Sequence, residues 1–180
     1  NGVDDLKGLK LRAPEGLVQK VFAAAGAAPV NLPGSEVFTA LSKGVIDAAD
    51  YTVFSTNQKA GMNDIARHPV QPGFHSLPLI DISMNKKKWD KLPADIQAIL
   101  TVSVRDFAED MTTQLRIADQ AAVKAAKADP NITIHDWSAD ERKKFRAIAR
   151  TQWEEFAKGS ANAQKVYDSI TTYLEANGLL

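Results

Sequence analysis

Arg12 combines a charged side chain with a position that favours chemistry. Residues 8–12 (GLKLR) alternate between apolar and charged side chains and precede Ala13 and Pro14, which predicts a short strand that ends near the proline. In an α/β sheet, the carboxyl ends of the strands border the ligand crevice. A guanidinium at this place can bind a carboxylate through two parallel hydrogen bonds, and it keeps its charge. The pattern is compatible with a carboxylate site at Arg12, and a surface ion pair is the alternative.

Asp50 and Tyr51 close a third predicted strand. Helical spacing from 17 to 28 and a second helix that starts at an N-cap Ser35 separate three extended stretches. This order predicts a small parallel α/β unit, which brings Asp50 and Tyr51 to the same sheet edge as Arg12. An aspartate there could hold a metal ion or pair with an arginine, and an aromatic ring could wall a small pocket. A solvated carboxylate beside a half-buried tyrosine is an equally open alternative.

Motifs of the common enzyme classes are absent from the sequence. There is no phosphate-binding glycine loop, no G-x-S-x-G motif and no cysteine. The three histidines lie far apart in the sequence without an i, i+4 pair, which argues against a zinc constellation. We expect surface or loop roles for His68 and His135. His75 follows Phe74 in a segment rich in proline and glycine, so both a structural and a functional role stay open for it.

The overall composition excludes several classes of partner. The chain has 22 Lys+Arg and 22 Asp+Glu, and its formal net charge is zero, so no global field attracts it to nucleic acid or anionic lipid. No apolar run approaches the roughly 20 residues that span a bilayer. The chain starts without a secretory leader, but also without Met and close to a strand pattern. We interpret it as a mature or truncated product, whose first residues do not indicate its compartment.

The second half of the chain is predominantly helical. An extended run covers residues 79–85, and from Ile96 to about Lys127 one helical pattern continues without Gly or Pro. This is far longer than an average helix and favours an element that braces two lobes. Residues 132–134 predict a short strand. Ser138 and Glu141 then fit a capping box for a helix to about Lys158, and a last helix is predicted over 161–176.

Three groups of motifs follow one another along the chain. DLKGLKLRAP lies at 5–14, AGAAPV, LPGSEVFTAL and KGVIDA lie between residues 25 and 48, and MNKKKWDKLP at 84–93 is followed by QAIL. In this order they resemble stretches of one known family, the extracytoplasmic solute-binding subunits of tripartite ATP-independent periplasmic (TRAP) transporters, the DctP-like group. Each motif alone is moderately specific. Their common order over nearly the whole chain is what identifies the resemblance.

The resemblance implies roles for individual residues. Arg12 matches the family's arginine that forms a salt bridge with the ligand carboxylate. The sequence AADY at 48–51 departs from the family's more common GQENP and is closer to DATEW, which resembles binders of 2-oxo and 2-hydroxy monocarboxylates. In that branch the acidic and aromatic residues help to hold a metal ion, so Asp50 and Tyr51 are candidate metal residues for Na⁺ or Ca²⁺. Phe74 and His75 become candidate pocket residues.

The resemblance also implies an α/β architecture, namely one lobe of a two-lobed periplasmic binding protein (type II-like) with a long bracing helix and C-terminal helices. We expect residues 1–68 to form the substrate-facing second lobe. Residues 69–95 would contain a hinge strand and part of the first lobe, 96–128 the inter-lobe helix, and 129–180 a strand and helices that return to the second lobe. Most of the first lobe has no counterpart in this sequence.

The implied function is high-affinity binding of a small organic acid in the periplasm for delivery to TRAP membrane subunits, without catalysis. A 2-oxo, 2-hydroxy or aromatic monocarboxylate is the expected ligand. A C4-dicarboxylate is one alternative, and a metal-dependent enzyme that acts on an oxo acid with His75 as base is another. A helical module that pairs through 96–127 is a third, and a homodimer is compatible with the carrier.

Overall fold

A small parallel sheet is the centre of the structure. In the computed structural model, which describes residues 1–75 and 80–180, the strands are β1 (Lys10–Arg12), β2 (Ala28–Val30) and β3 (Ala48–Ala49). Their order is β2-β1-β3, and β1 pairs in parallel with both neighbours. Arg12 lies opposite Val30 on one side and Ala49 on the other. The central strand therefore ends beside the ends of both neighbours.

Helices connect and cover these strands. A 3₁₀ turn at Val3–Leu6 precedes β1, and another at Gly34–Glu36 follows β2. The eight α-helices of the described residues are α1 (Leu17–Ala24), α2 (Val37–Ser42), α3 (Phe54–Lys59), α4 (Met62–Ile65), α5 (Lys86–Trp89), α6 (Ala94–Ala128), α7 (Ala139–Ala157) and α8 (Ala161–Ala176). Within the described chain, no helix is sufficiently long and apolar to cross a membrane.

Two hydrophobic clusters lie against the sheet. The larger one joins Leu11 of β1 and Phe22 of α1 to Trp137 and Phe145 from the C-terminal region, so α7 packs on α1. The smaller one contains Val37, Ala40, Ile46 and Met62, with Tyr51 packed against it. Burial of such side chains contributes about 1.5–3 kcal/mol each. The C-terminal helices are therefore part of the same core as the first strand.

Several predicted elements differ from the observed ones. The helix predicted over 17–28 ends at Ala24, because Gly26 takes φ 97° and residues 28–30 join the sheet as β2. Ser35 is not an N-cap, since it lies inside the 3₁₀ turn and α2 starts at Val37 without a side-chain cap. The stretch 132–134 forms no strand, and a single bridge joins Val70 to His135 instead.

The predictions for the remaining elements are closer. The last helix has the predicted bounds, and α6 is slightly longer than predicted. Of the extended run 79–85, Leu79 lies outside the described residues, while Ile80–Asn85 has no regular structure. One of the two hydrogen bonds of the predicted capping box is formed. The Glu141 backbone N–H donates to Ser138 Oγ (3.2 Å), but the Glu141 carboxylate accepts from the Val3 backbone N–H (2.6 Å).

The C-terminal part of the long helix α6 is anchored to the lobe. It contacts α3, and the Ser55 backbone N–H donates to Asp119 Oδ1 (2.8 Å). Val53, the N-cap of α3, provides no side-chain acceptor, so the aspartate of α6 accepts from one of the free amide groups of α3. The first half of α6 is exposed along its length and includes Ile99, Val102 and Phe107, which are 57%, 51% and 52% exposed.

Candidate functional site

Arg12 lies where the three strands end. Its Nε donates to the backbone carbonyl of Leu32 (3.1 Å), which follows β2, and its Nη1 donates to the carbonyl of Asp50 (2.7 Å), which follows β3. The Asp50 backbone N–H in turn donates to the Arg12 carbonyl (2.8 Å). The guanidinium is thus held at the carboxyl edge of the sheet by the segments on both sides. The predicted common edge of Arg12 and Asp50 is observed.

The charge of Arg12 has no carboxylate partner among the described residues. The two carbonyls that hold it are neutral, and no salt bridge of the described chain includes it. A guanidinium has five N–H donors, and the bonds to Leu32 and Asp50 occupy two of its three nitrogens. Within the described residues, three N–H groups of Arg12, one on Nη1 and two on Nη2, therefore have no hydrogen-bond acceptor. The nearest π system is the ring of Tyr51, whose centroid is 5.9 Å from the guanidinium carbon, within cation–π range.

The Asp50 carboxylate is paired with His75. His75 Nε2 lies 3.0 Å from Asp50 Oδ1, and the side chains are 17% and 27% exposed. The His75 ring also packs edge-on against Phe22, with centroids 5.1 Å apart. Residues separated by 25 positions therefore meet beside Arg12, so the structure brings three of the sequence candidates together. The periodicity of the sequence contained no signal for this contact, because residues 69–75 form neither helix nor strand.

Tyr51 forms a wall between the sheet edge and the smaller core. Its ring packs against the cluster around Val37 and faces Gly34 in the 3₁₀ turn. A Cβ at position 34 would lie 3.3 Å from Tyr51 Cε2, so glycine permits the close approach of the turn to the ring. The tyrosine is half-buried.

The ring of Phe74 packs against the larger hydrophobic cluster, while the residue is also adjacent to His75 at the sheet edge. Its ring stacks on Trp137 with centroids 3.9 Å apart, and it meets Phe145 edge-on at 5.0 Å. Its centroid is 5.7 Å from that of His75. Phe74 thus packs within the core and fixes the position of the neighbouring histidine.

Arg142 of α7 orients the segment that carries Phe74 and His75. The sequence did not predict this role. Its Nη1 donates to the carbonyl of Gly73 (2.8 Å), and its Nη2 to that of Pro72 (3.0 Å). Its remaining bonds reach the Trp137 carbonyl from Nε (3.0 Å) and Asp136 Oδ1 from Nη2 (2.8 Å). An arginine inside a charged helical stretch carries no sequence signal for such a role.

The donors around Asp50 fit a hard cation in kind but not in number. Oδ2 of Asp50 and the backbone carbonyls of this edge are oxygen donors, which Na⁺ and Ca²⁺ prefer, and Ca²⁺ takes six to eight of them. No cluster of three or more acidic, histidine or cysteine ligands exists within the described residues. A cation at Asp50 and Tyr51 would therefore need further oxygens from the ligand, water or additional protein.

Comparison with known proteins reveals the family. The family model for bacterial extracellular solute-binding proteins, family 7 (DctP), matches residues 1–159. The chain belongs to this family. A curated relative, the monocarboxylate 2-oxoacid-binding periplasmic protein of Nostoc sp., is 30% identical over 92% of this chain and 45% of its own length. The resemblance inferred from the motifs is confirmed.

Solved TRAP periplasmic solute-binding proteins have the same fold. One from Rhodobacter sphaeroides in an apo open form is 61% identical, with a TM-score of 0.81 over 99% of this chain and 56% of that chain. One from Pseudoalteromonas atlantica with bound sodium and pyruvate is 32% identical, with a TM-score of 0.78 over 98% and 54%. One from Colwellia psychrerythraea with calcium and pyruvate is 30% identical, with a TM-score of 0.78 over 96% and 53%.

These matches confirm the predicted fold class, an α/β lobe of a TRAP solute-binding protein. The chain spans about half the length of the relatives it matches, between 45% and 56% in these examples. The family is one of bacterial extracellular solute-binding proteins. The individual site residues remain predictions, and so do the bounds expected for the lobes and hinge.

Proposed function

We propose that this chain is the Arg12-bearing lobe of a periplasmic carrier for a small 2-oxo monocarboxylate. The proposal rests on the hydrogen bonds and the charge of Arg12. Its guanidinium is fixed at the sheet edge by two neutral carbonyls, and no carboxylate of the described residues neutralises it. An anionic ligand would gain a charge-assisted, bidentate pair without first displacing an internal partner.

The ligand class follows from the neighbours of Arg12. One related protein is named for the binding of 2-oxoacids, and two others contain pyruvate. Pyruvate is a 2-oxoacid, and every such acid has an oxo oxygen beside its carboxylate. With the carboxylate on Arg12, this second oxygen would face Asp50 and His75, where a cation held by Asp50 could bind it. Tyr51 would cover one face of the small ligand. A 2-hydroxy acid fits the same arrangement, since its hydroxyl can donate to the aspartate.

A cation is the second element of the proposal. Asp50 and the backbone or hydroxyl oxygen of Tyr51 would contribute to a Na⁺ or Ca²⁺ site, with the ligand supplying further oxygens. The presence of sodium or calcium beside pyruvate in two related proteins supports this. When bound, the cation neutralises negative charge where the ligand and Asp50 approach each other. The carboxylate of Asp50 is also oriented by its contact with His75.

Binding and release, not catalysis, is the proposed activity. Closure of a second lobe over the acid would exclude water and strengthen the ion pair, and the ligand would favour the closed state because only that state offers contacts from both lobes. No third histidine, cysteine or carboxylate joins His75 and Asp50 in a cluster within the part of the chain that the structure describes. Delivery to TRAP membrane subunits completes the proposed role.

The exposed half of α6 supports the existence of a second lobe. Ile96, Leu100, Val104, Phe107 and Met111 recur at intervals of four, four, three and four residues, and each is exposed. Such a stripe on one helix face is normally buried against another body. We assign it to the lobe that accounts for the additional length of the relatives, so α6 would brace both lobes.

The test is calorimetric titration of the full-length protein that contains this chain, first dialysed against chelator. Pyruvate should bind with micromolar or tighter affinity in the presence of Na⁺ or Ca²⁺, and lactate should compete with it, while succinate should be much weaker. Tight succinate binding would instead favour a dicarboxylate carrier. Recovery of pyruvate unchanged after prolonged incubation, followed by NMR, separates a carrier from an enzyme. Consumption of the acid would refute the proposal.

A further inference from the structure

Residues 67–71 and 133–135, two short stretches that are distant in the sequence, lie side by side. The Thr133 backbone N–H donates to the Arg67 carbonyl (2.9 Å), the His135 N–H to the Pro69 carbonyl (2.9 Å), and the Gln71 N–H to the His135 carbonyl (2.8 Å). This pairing brings two histidines together whose wide separation in the sequence suggested no contact. His68 Nδ1 is 3.1 Å from His135 Nε2, and the ring centroids are 5.3 Å apart.

The tautomer of His135 follows from its other nitrogen. His135 Nδ1 is 3.0 Å from the side-chain oxygen of Asn1. An amide oxygen can only accept a hydrogen bond, so Nδ1 carries the proton and Nε2 directs its lone pair towards His68. Histidines that ligate metals have the same arrangement, in which the distal N–H donates to an oxygen and fixes the orientation of the ring.

The separation of the two nitrogens also matches a shared metal ion. Nitrogens that bind one Zn²⁺ at about 2.0–2.1 Å lie about 2.8–3.4 Å apart when the angle at the metal is between about 90° and 109°. The observed 3.1 Å falls in this range. The His68 side chain is exposed and that of His135 is partly exposed, so a cation can enter and water can complete its coordination.

We propose that His68 and His135 form a two-imidazole surface site for a divalent transition-metal ion. Cu²⁺ should bind more tightly than Zn²⁺ or Ni²⁺, in accordance with the usual order for nitrogen ligands. No third acidic, histidine or cysteine ligand joins the pair within the described residues, which makes the site weaker than a structural zinc centre. The site uses none of the residues assigned to the organic acid. A bound ion would link residues 67–71, which precede His75, to residues 133–135, which precede α7.

The experiment uses the protein without an affinity tag, titrated calorimetrically with CuCl₂ and ZnCl₂ in a buffer that does not bind metals. The wild type should bind one ion at this site. His68→Gln and His135→Gln should each weaken binding at least tenfold, because a single imidazole remains. Zinc should raise the melting temperature of the wild type by a few degrees and that of either variant hardly at all.

His75→Gln is the matched control, since it removes the remaining histidine from the paired site at Asp50. It should leave the affinity for copper and zinc unchanged. Circular dichroism and melting without metal establish that each variant is folded. The proposal is overturned if the wild type binds neither metal, if both single variants retain wild-type affinity, or if His75→Gln is the substitution that abolishes binding.

Discussion

Two arginines of this lobe donate hydrogen bonds to backbone carbonyls, and they differ in whether a carboxylate neutralises their charge. Arg142 binds the carbonyls of Pro72, Gly73 and Trp137 and also the carboxylate of Asp136. Arg12 binds two carbonyls and no carboxylate of the described chain. Both side chains are anchored by the same kind of bond. Of the two, only Arg142 is neutralised by a carboxylate of the described residues.

The difference separates a structural guanidinium from one that can receive a ligand. Partial burial of a charge is costly unless it is paired, so a protein that leaves Arg12 without a counter-ion retains an attraction for anions at that edge. The two regions are also connected. The carbonyls bound by Arg142 belong to the segment that ends in Phe74 and His75, so the structural arginine positions a neighbour of the ligand-binding one.

The largest expected effect comes from replacement of Arg12. Arg12→Lys keeps the charge but loses the planar fork that matches a carboxylate. We expect the affinity for pyruvate to fall by about 100-fold or more, because two charge-assisted hydrogen bonds contribute roughly 1.5–3 kcal/mol each. Calorimetric titration of the full-length protein measures this.

The melting temperature distinguishes the two arginines. Arg12→Lys should change it little, because the lysine ammonium can still reach a neighbouring carbonyl. An Arg12→Lys protein that binds pyruvate like the wild type would show that the acid is held elsewhere. A large loss of stability without loss of affinity would place Arg12 in the same class as Arg142.

Arg142→Gln should show the opposite pattern. It leaves three carbonyls and one carboxylate without their donor, so we expect a loss of about 2–3 kcal/mol in the free energy of unfolding. For a chain of this size, this corresponds to a melting temperature lower by roughly 4–12 °C. Thermal denaturation followed by circular dichroism measures the shift.

Ligand affinity is the second measurement on Arg142→Gln. It should fall by less than tenfold, through displacement of His75 and not through loss of a ligand contact. Lys144→Gln, on the same helix but paired with the exposed Asp4, is the control and should affect neither quantity. Equal losses of affinity in Arg142→Gln and Arg12→Lys would remove the distinction between the two arginines.

The sequence predicted those features of the lobe that depend on regular secondary structure. Alternation of residue types indicated β1, and the order of strands and helices indicated a parallel unit with Arg12, Asp50 and Tyr51 at one edge. Long-range periodicity indicated α6 within a few residues of its bounds. These features follow from local patterns, which a sequence displays directly.

Contacts made by irregular segments could not be predicted. The bond between His75 and Asp50 depends on where residues 69–75 lie, and these are held by Arg142 from another helix. The pair formed by His68 and His135 depends on a bridge between two stretches without regular structure. Phe74 was predicted to line the pocket on the basis of family resemblance alone, and its stacking on Trp137 depends on the same tertiary packing.

Asp50→Asn tests the paired carboxylate with an intermediate effect. The substitution removes the charge but keeps the backbone carbonyl that holds Arg12. We expect about a tenfold weaker affinity for pyruvate, equal to about 1.4 kcal/mol, and loss of any dependence on Na⁺ or Ca²⁺. Titrations with and without each cation measure both effects. A variant that keeps a full cation dependence would show that Asp50 is not a ligand of the ion.

Gly34→Ala should have the smallest effect and tests whether Tyr51 is a wall of the site. The new Cβ would lie 3.3 Å from Tyr51 Cε2, so the ring must move by a few tenths of an ångström. We expect stability to change by less than about 1 kcal/mol and affinity for pyruvate to fall by about two- to fivefold, since a displaced wall alters the fit of a small ligand.

Gly44→Ala is the matched control with the opposite pattern. Gly44 takes φ 66°, and within the described structure no atom outside its chain neighbours lies within 4 Å of its Cβ position. Alanine there strains the backbone and should cost about 1–2 kcal/mol of stability, without change in affinity. If Gly34→Ala behaves like Gly44→Ala, Tyr51 is a core residue alone. If it lowers affinity while stability is retained, the tyrosine ring bounds the space that the acid occupies.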